Sequence, residues 1–376
     1  MKKLFYYMAF VCIAVTVMTA CKEMDTTYKE YLVVGGITYP GRASSPEIYT
    51  GRNRVKITWS RGTDQSVTKA RIYWNNYSDS VEVAIHPDDK IISKTIENLP
   101  EGTYTFVIKT FDAANNSSVP VELLSAVYGD TYQEGLLFRP IKTSVRFTDK
   151  IEVEWGAANI SGGAYATEIK YIDESDQERI KRFLIDEELS VISDIKPGTS
   201  YEYRTAYLPQ ELSIDTFYTD FQPNQYSSFH TGDWKIKEYS SFHPDAANPT
   251  RNVPENFIDG DPTTRWHTNA SAPVPGYPHF VVIDMQSAKT ITAIELFRSR
   301  ITSNDRNNGS KTFQLSISND GVNFTPLGEV MNFDSSIDDG QFYEVSAPFA
   351  ARYLEFRGLS GAAASMSMGD MSVFGN

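Results

Sequence analysis

Cysteine is nearly absent from this chain. Of its 376 residues only Cys12 and Cys21 carry a thiol, so stability has to come from ordinary hydrophobic cores and not from a disulfide framework. Basic runs are missing too. Lys and Arg number 35 against 48 Asp and Glu, a formal net charge of −13, which lacks the electrostatic footprint of a nucleic-acid binder. Familiar catalytic signatures are also lacking. The histidines His86, His230, His243, His267 and His279 form no H-E-x-x-H pair, and there is no G-x-S-x-G elbow, no P-loop and no thiol beyond Cys21. Paired glycosidase carboxylates keep no fixed spacing, so a motif scan does not address them. Aromatic residues, by contrast, are plentiful, with 22 Tyr and 21 Phe, and this suits a folded chain.

Lys2 and Lys3 precede an apolar run from Leu4 to Ala20, which ends in Met18-Thr19-Ala20-Cys21. A short positive segment, an apolar core and small residues describe a secretory leader over residues 1–20; a permanent membrane helix is the alternative for a run of this length. Met18-Thr19-Ala20-Cys21 resembles the lipobox of bacterial lipoproteins. That resemblance implies that the leader is cut before Cys21 and that the Cys21 thiol is acylated, so the membrane is reached only through a lipid anchor. Lys22-Glu23-Met24-Asp25 resembles the signal that sends Bacteroidetes-type lipoproteins to the outer leaflet, and it implies an outer-membrane protein exposed at the cell surface. Residues 21–30 then form a tether. The remainder suits two or three domains.

Between Tyr31 and Tyr226 the chain repeats itself at about 97 residues. Val55-Lys-Ile-Thr-Trp59 is answered by Ile151-Glu-Val-Glu-Trp155, and Ala70-Arg-Ile-Tyr-Trp74 by Thr167-Glu-Ile-Lys-Tyr171. Each alternates with a period of two, as a half-buried strand does. Leu99-Pro-Glu-Gly-Thr-Tyr104 and Ile195-Lys-Pro-Gly-Thr-Ser-Tyr201 each place Pro and Gly in a turn ahead of a tyrosine. The tyrosine hydroxyl is expected to reach back to a backbone group in both copies, the tyrosine corner of immunoglobulin-like sandwiches. Residues 31–128 and 129–231 both resemble fibronectin type III or related seven-stranded sandwiches, and the first also resembles an uncharacterised domain family of Bacteroidetes surface lipoproteins. Trp59, Trp74 and Trp155 read as core residues; only Trp74-Asn-Asn-Tyr77 stands at a strand end where exposed stacking is conceivable.

From residue 232 to 376 the strands persist but the connections lengthen, as in a sandwich that uses its loops. Expected strands are His279–Met285, Thr290–Phe297, Lys311–Ser318, Gln341–Val345, Arg352–Arg357 and Met371–Phe374. Trp234…Tyr239, Asn256-Phe-Ile-Asp-Gly-Asp-Pro-Thr-Thr264-Arg-Trp266-His-Thr, Val281-Val-Ile-Asp284, Ser318-Asn-Asp-Gly321 and Ala351-Arg-Tyr353-Leu-Glu-Phe resemble, in order, the discoidin or coagulation-factor type C domain. The expected architecture is therefore all-β: two immunoglobulin/fibronectin III-like sandwiches followed by a discoidin-like β-sandwich jelly roll.

The Asp-Gly-Asp-Pro turn gathers the carboxylate and carbonyl oxygens that calcium requires, or it is simply an Asx-turn without metal. The resemblance implies a structural Ca2+ held by Asp259 and Thr264, the carbonyls near Phe257 and Asp261, and Asp370, where Glu is usual. Trp266, at the first buried position after the turn, reads as core. The carbohydrate-binding branch of that family (family 32) binds galactose-type sugars, which implies hydroxyl contacts from His267, Arg300 (with Arg298 one pleat away) and Asn308 or Asn307. The family's late-loop aromatic has no counterpart in Leu359–Met368; Tyr277 could supply a ring from another loop. Three small sandwiches without an enzyme-sized barrel lead us to expect a non-catalytic glycan binder serving an outer-membrane transporter complex. An adhesin or assembly protein binding a protein partner is the alternative.

Overall fold

The alternation of apolar and polar residues governs most of the backbone in the computed structural model, which describes residues 36, 38–302, 305–345 and 348–375. The proposed leader, the tether and Cys21 lie outside the described residues. Among those described, no helix is long and apolar enough to cross a membrane.

The chain divides into two compact units, the first ending at Asp130 and also containing Leu212–Asp215. Its strands are β1 (Ser44–Gly51), β2 (Arg54–Ser60), β3 (Val67–Trp74), β4 (Asp79–Ala84), β5 (Ile91–Ile96), β6 (Gly102–Asp112) and β7 (Val121–Val127). They form a three-stranded sheet, β1-β2-β5, and a four-stranded one, β4-β3-β6-β7. Strand β2 buries Val55, Ile57 and Trp59 on one face, and these join Ile72, Phe106 and Ile108 of the other sheet in one core. Trp74 is half-buried, tilted against Phe106. The Tyr104 hydroxyl donates to the Pro100 carbonyl at 2.9 Å, as a tyrosine corner requires. Asp215 accepts from Arg54 Nε at 2.9 Å and from the Arg52 backbone at 2.8 Å.

The second unit begins with β8 (Ile141–Arg146), β9 (Ile151–Trp155), β10 (Ala164–Ile172), β11 (Glu178–Leu184), β12 (Leu189–Ile192), β13 (Tyr201–Tyr207), β14 (Phe217–Tyr218) and β15 (Gln222–Pro223). Here β12-β9-β8 run side by side, and β11-β10-β13 carry β14 and β15. Tyr201, Tyr203 and Tyr207 are buried, as the alternation of β13 predicts. The second tyrosine corner is not made. Tyr201 instead pairs its hydroxyl with Ser144 Oγ at 2.9 Å, because Ser144 and Ser227 form a buried polar cluster directly in its path.

The remaining strands are β16 (Ser228–Phe229), β17 (Lys235–Tyr239), β18 (Trp266–His267), β19 (His279–Arg298), β20 (Ser310–Ser318), β21 (Thr325–Pro326), β22 (Met331–Asn332), β23 (Gln341–Glu344), β24 (Ala350–Gly361) and β25 (Ser367–Gly375). Two runs expected as separate strands are one strand, β19. Its register shifts between Asp284 and Lys289, with Gln286 at φ 65°, so its first half pairs with β24 and its second with β25. The core is aromatic and aliphatic, with Trp266, Phe257, Phe313, Phe356 and Leu296 fully buried. Two-residue β16 pairs with β8 on one side and β25 on the other, so one hydrogen-bonded path crosses from the second sandwich into the third segment.

Candidate functional site

The chemistry gathers around β18. A 3-10 turn, Pro254–Phe257, leads into the Asp-Gly-Asp-Pro stretch. Gly260 there has φ +76°, a conformation that residues with a Cβ rarely adopt. Beyond it, Trp266 enters the core completely and donates Nε1–H to the Ser241 carbonyl at 3.0 Å, as its position after the turn suggested. The backbone then makes two bridges to β25, Trp266 to Met368 and His267 to Ser367.

His267 is 8% exposed. Its backbone is fully engaged, donating to Asn252 and accepting from His243, yet neither ring nitrogen has a partner. Burial drives its pKa down to about 4, with the Arg265 and His243 charges adding to the shift and Asp305 opposing it. The ring is therefore neutral at pH 7, one nitrogen a donor and the other an acceptor. Its cross-strand partner Ser367 also has a buried hydroxyl without a partner. Unsatisfied buried polar groups are rare and costly, and these two are register partners in the β18–β25 pair.

Asp305, which the sequence reading did not single out, organises the neighbouring loop. It is 1% exposed and accepts from Ser299 Oγ at 2.6 Å, Thr302 N at 2.9 Å, Thr302 Oγ1 at 2.8 Å and Arg265 Nη1 at 2.7 Å. Burial pushes its carboxyl up, but these hydrogen bonds and the Arg265 charge hold it below the usual range. Arg265 also donates Nε–H to Asn252. The residue preceding Trp266 is thus tied to the loop that carries Arg300 and to the short helix Asp305–Asn308. Arg300 is exposed and Asn308 half-buried. Arg298 does not join them: it is buried and its guanidinium is committed to Asp338. No sequence pattern announces Asp305, since its role depends on Arg265, distant in sequence.

Tyr277 is half-buried, its ring 4.6 Å from that of His279. A Cβ at Gly361 would collide with its hydroxyl, which is buried without a partner. It packs under the start of the late loop. That loop is pinned at Ala364 by His279 Nε2 at 2.8 Å and at Met366 by the Thr268 hydroxyl at 2.7 Å.

The candidate calcium ligands converge in part. Thr264 Oγ1 lies 2.8 Å from Asp259 Oδ2, 3.0 Å from the Asp261 carbonyl and 3.3 Å from the Asn256 carbonyl. One hydroxyl proton serves only one of these three oxygens. Asp261 engages Oδ1 with the Thr263 N–H and hydroxyl, while its carbonyl faces the Thr264 hydroxyl. Phe257 buries its ring against Trp266 and Phe356. Asp370 lies within β25, 2% exposed. Burial pushes its pKa up to about 7, the Asp259 and Asp261 charges adding to this and the Gly260 N–H opposing it. Among the described residues no three His, Cys, Asp or Glu side chains form a metal cluster, so a cation here would rely on hydroxyl and carbonyl oxygens beside two carboxylates. That donor set is chemically right for calcium.

Residues 21–217, just over half of the chain, match the family model of a domain of unknown function, DUF4998. The chain belongs to the DUF4998 family. The third segment of this DUF4998 protein matches a second model, the F5/8 type C domain, over residues 235–369. Among solved structures it is similar to the C-terminal domain of a chitobiase from Bacteroides fragilis, 25% identical, covering 40% of this chain and 98% of that one with a TM-score of 0.36. A carbohydrate-binding module from Clostridium perfringens, in complex with GalNAc-β-1,3-galactose, is 23% identical and covers 39% and 99%, TM-score 0.35. The family 32 module of C. perfringens NanJ in complex with galactose is 15% identical and covers 40% and 98%, TM-score 0.34. A curated relative, a sialidase of Micromonospora viridifaciens, is 40% identical over 52 residues, 14% of this chain and 8% of the sialidase. The DUF4998 protein thus spans a small fraction of that relative's length.

Proposed function

We propose that this protein is a non-catalytic glycan-binding lipoprotein of the cell surface. Its F5/8 type C domain takes a galactose-type sugar, and the two preceding sandwiches act as spacers above a lipid on Cys21. It serves an outer-membrane transporter complex for polysaccharide uptake. The observation that carries the reading is the pair of buried, unpartnered polar side chains on β18 and β25, His267 and Ser367. A neutral imidazole can give one hydrogen bond to a sugar hydroxyl and receive another. Arg300 and Asn308, on the loop organised by Asp305, supply planar donors suited to adjacent hydroxyls. The F5/8 type C match and the sugar-bound modules similar in fold support the same class of ligand.

A structural calcium would be held by Asp259, Thr264 and Asp370 with the carbonyls of Asp261 and Phe257. It would supply charge that keeps the buried Asp370 carboxylate ionised and ties the turn to β25.

The second reading, a protein-binding adhesin, is favoured by the late loop Leu359–Met368, which brings no aromatic ring to stack on a sugar. A glycan array probed with the chain from Glu30 onward, followed by titration of galactose-containing oligosaccharides, separates the two. Binding should weaken about ten- to a hundredfold in His267→Ala and in Arg300→Ala, since each removes a hydrogen-bonding partner of the ligand hydroxyls. Binding that survives both substitutions moves the site elsewhere, and an array without any signal favours the adhesin.

A further inference from the structure

The second unit contains a cavity of about 290 Å³ where the ends of β8 and β9 meet the bend of β19. Arg146, the last residue of β8, lines it and is 7% exposed. A buried guanidinium is normally matched by a carboxylate. This one has none. Its single hydrogen bond runs from Nη2 to the Thr199 carbonyl at 2.7 Å, and its Nε–H is buried without a partner.

Lys289, from the turn in β19, lines the same cavity and is half-buried, with its ammonium 5.5 Å from the Phe229 ring centre. Burial lowers its pKa, and the nearby Arg146 charge lowers it further. Burial likewise takes Arg146 down to about 10, with only Tyr201 opposing. Three other charged side chains border the space. Lys150 is paired with Glu152 at 2.6 Å. Asp149 and Glu174 also line the walls, yet neither is paired with Arg146, whose one hydrogen bond is to Thr199, or with Lys289, which stands over Phe229. Two cations without an ion-pair partner therefore line one small cavity, with an apolar wall of Phe229 and Pro197 beside them.

We propose that this cavity is an anion site, taking a small oxyanion through Arg146 and Lys289. The ligand chemistry is a carboxylate or sulfate group, either free or carried on one sugar ring. The volume sits at the small end of ligand sites, which limits the occupant to about one ring. Guanidinium suits such groups because its planar fork donates two parallel hydrogen bonds, while the ammonium contributes a point charge. The inference stands apart from the galactose reading, since it shares no residue with the His267 site.

Calorimetric titration of the chain from Glu30 onward tests it, using sulfate, phosphate, galacturonate and neutral galactose at constant ionic strength. At least one oxyanion should bind at one equivalent and galactose should not compete for it. Lys289→Met and Arg146→Met should each weaken that binding about tenfold or more, the loss expected for a charged hydrogen bond, while His267→Ala leaves it unchanged. Arg146→Met should also melt at or above the wild type without anion, because it removes an unpaired buried charge. If that variant fails to fold, Lys289→Met carries the test, as its side chain is only half-buried. Equal affinity for sulfate and galacturonate identifies a bare oxyanion site, and tighter galacturonate identifies an acidic sugar. The proposal is overturned if the wild type binds none of these anions, or if Lys289→Met binds them as well as the wild type.

Discussion

His267 and Asp305 are both buried titratable groups, and they lean on the same arginine in opposite ways. Asp305 is stabilised as an anion by Arg265, whereas His267 is kept neutral partly by it. Removing one partner of a buried ion pair leaves an uncompensated charge, which costs about 3–5 kcal/mol. Asp305→Ala should therefore destabilise the third segment by that amount in urea unfolding, and it should also weaken sugar binding because the Arg300 loop loses its anchor. A loss below about 1 kcal/mol would show that water replaces the aspartate. The His267 shift has a definite sign. Its folded pKa, about 4, lies below the ordinary 6.5, so the unfolded chain takes up the proton first. The contribution is complete above pH 6.5 and is lost as pH falls towards 4, reaching about 3 kcal/mol at most. Wild type and His267→Gln, unfolded in parallel from pH 7 to 4, should differ by progressively less stability as the pH falls. A difference that stays constant would mean that the folded ring is hydrated and titrates normally.

At the scale of elements, the two copies of the tyrosine turn show how similar sequences diverge in structure. Tyr104 bonds a backbone carbonyl that has no other side-chain donor in its turn, while Tyr201 meets Ser144, which also contacts Ser227 and Asn224. Tyr104→Phe should cost about 1 kcal/mol, and Tyr201→Phe less, because Ser144 keeps its other partners. Chemical denaturation of each variant reads the difference directly; equal losses would contradict the rearranged second corner. The strands themselves were largely legible, since two-residue alternation in stretches such as Val55–Trp59 and Tyr201–Tyr207 maps onto buried faces. The union of Thr290–Phe297 with His279–Met285 was not, because Gln286 carries a positive φ without any glycine to signal it. The candidate site was legible only where it is local. Asp259, Thr264 and His267 lie in or beside one turn, but Asp305, Ser367 and Asn252 act through contacts over 13 to 100 residues that no local pattern encodes. A similar long-range link governs the calcium proposal. Chelator should lower the melting temperature of the wild type, since a ligand that binds only the folded state stabilises it by RT ln(1 + [L]/Kd). Asp370→Asn should lose that sensitivity and, in chelator, melt no lower than the wild type, because it removes a buried carboxylate crowded by Asp259 and Asp261. If the variant is still stabilised by calcium, the cation is bound elsewhere.

For the whole molecule, the question is how one proposed sugar site without a late-loop aromatic would hold a polysaccharide. Hydrogen bonds to hydroxyls largely exchange with water, each netting about 0.5–1.5 kcal/mol, and without an aromatic in Leu359–Met368 no stacking surface from that loop adds to them. A single copy should therefore release its ligand readily. Copies confined to one membrane behave differently, because once one site holds a chain the next binds at a high effective concentration, and avidity can rise about 10²–10⁴-fold without any new contact. The lipid proposed on Cys21 would create that condition, and the net charge of −13 would keep neighbouring copies from collapsing onto one another. Labelled palmitate should enter the wild type and be absent from Cys21→Ser. Cells displaying the wild type should then be retained on a column carrying a galactose-rich polysaccharide, whereas the purified soluble chain from Glu30 onward should elute with only a slight delay, and free galactose should release the cells. Retention of the soluble chain as strong as that of the cells would mean that a single site suffices and that the anchor serves location alone.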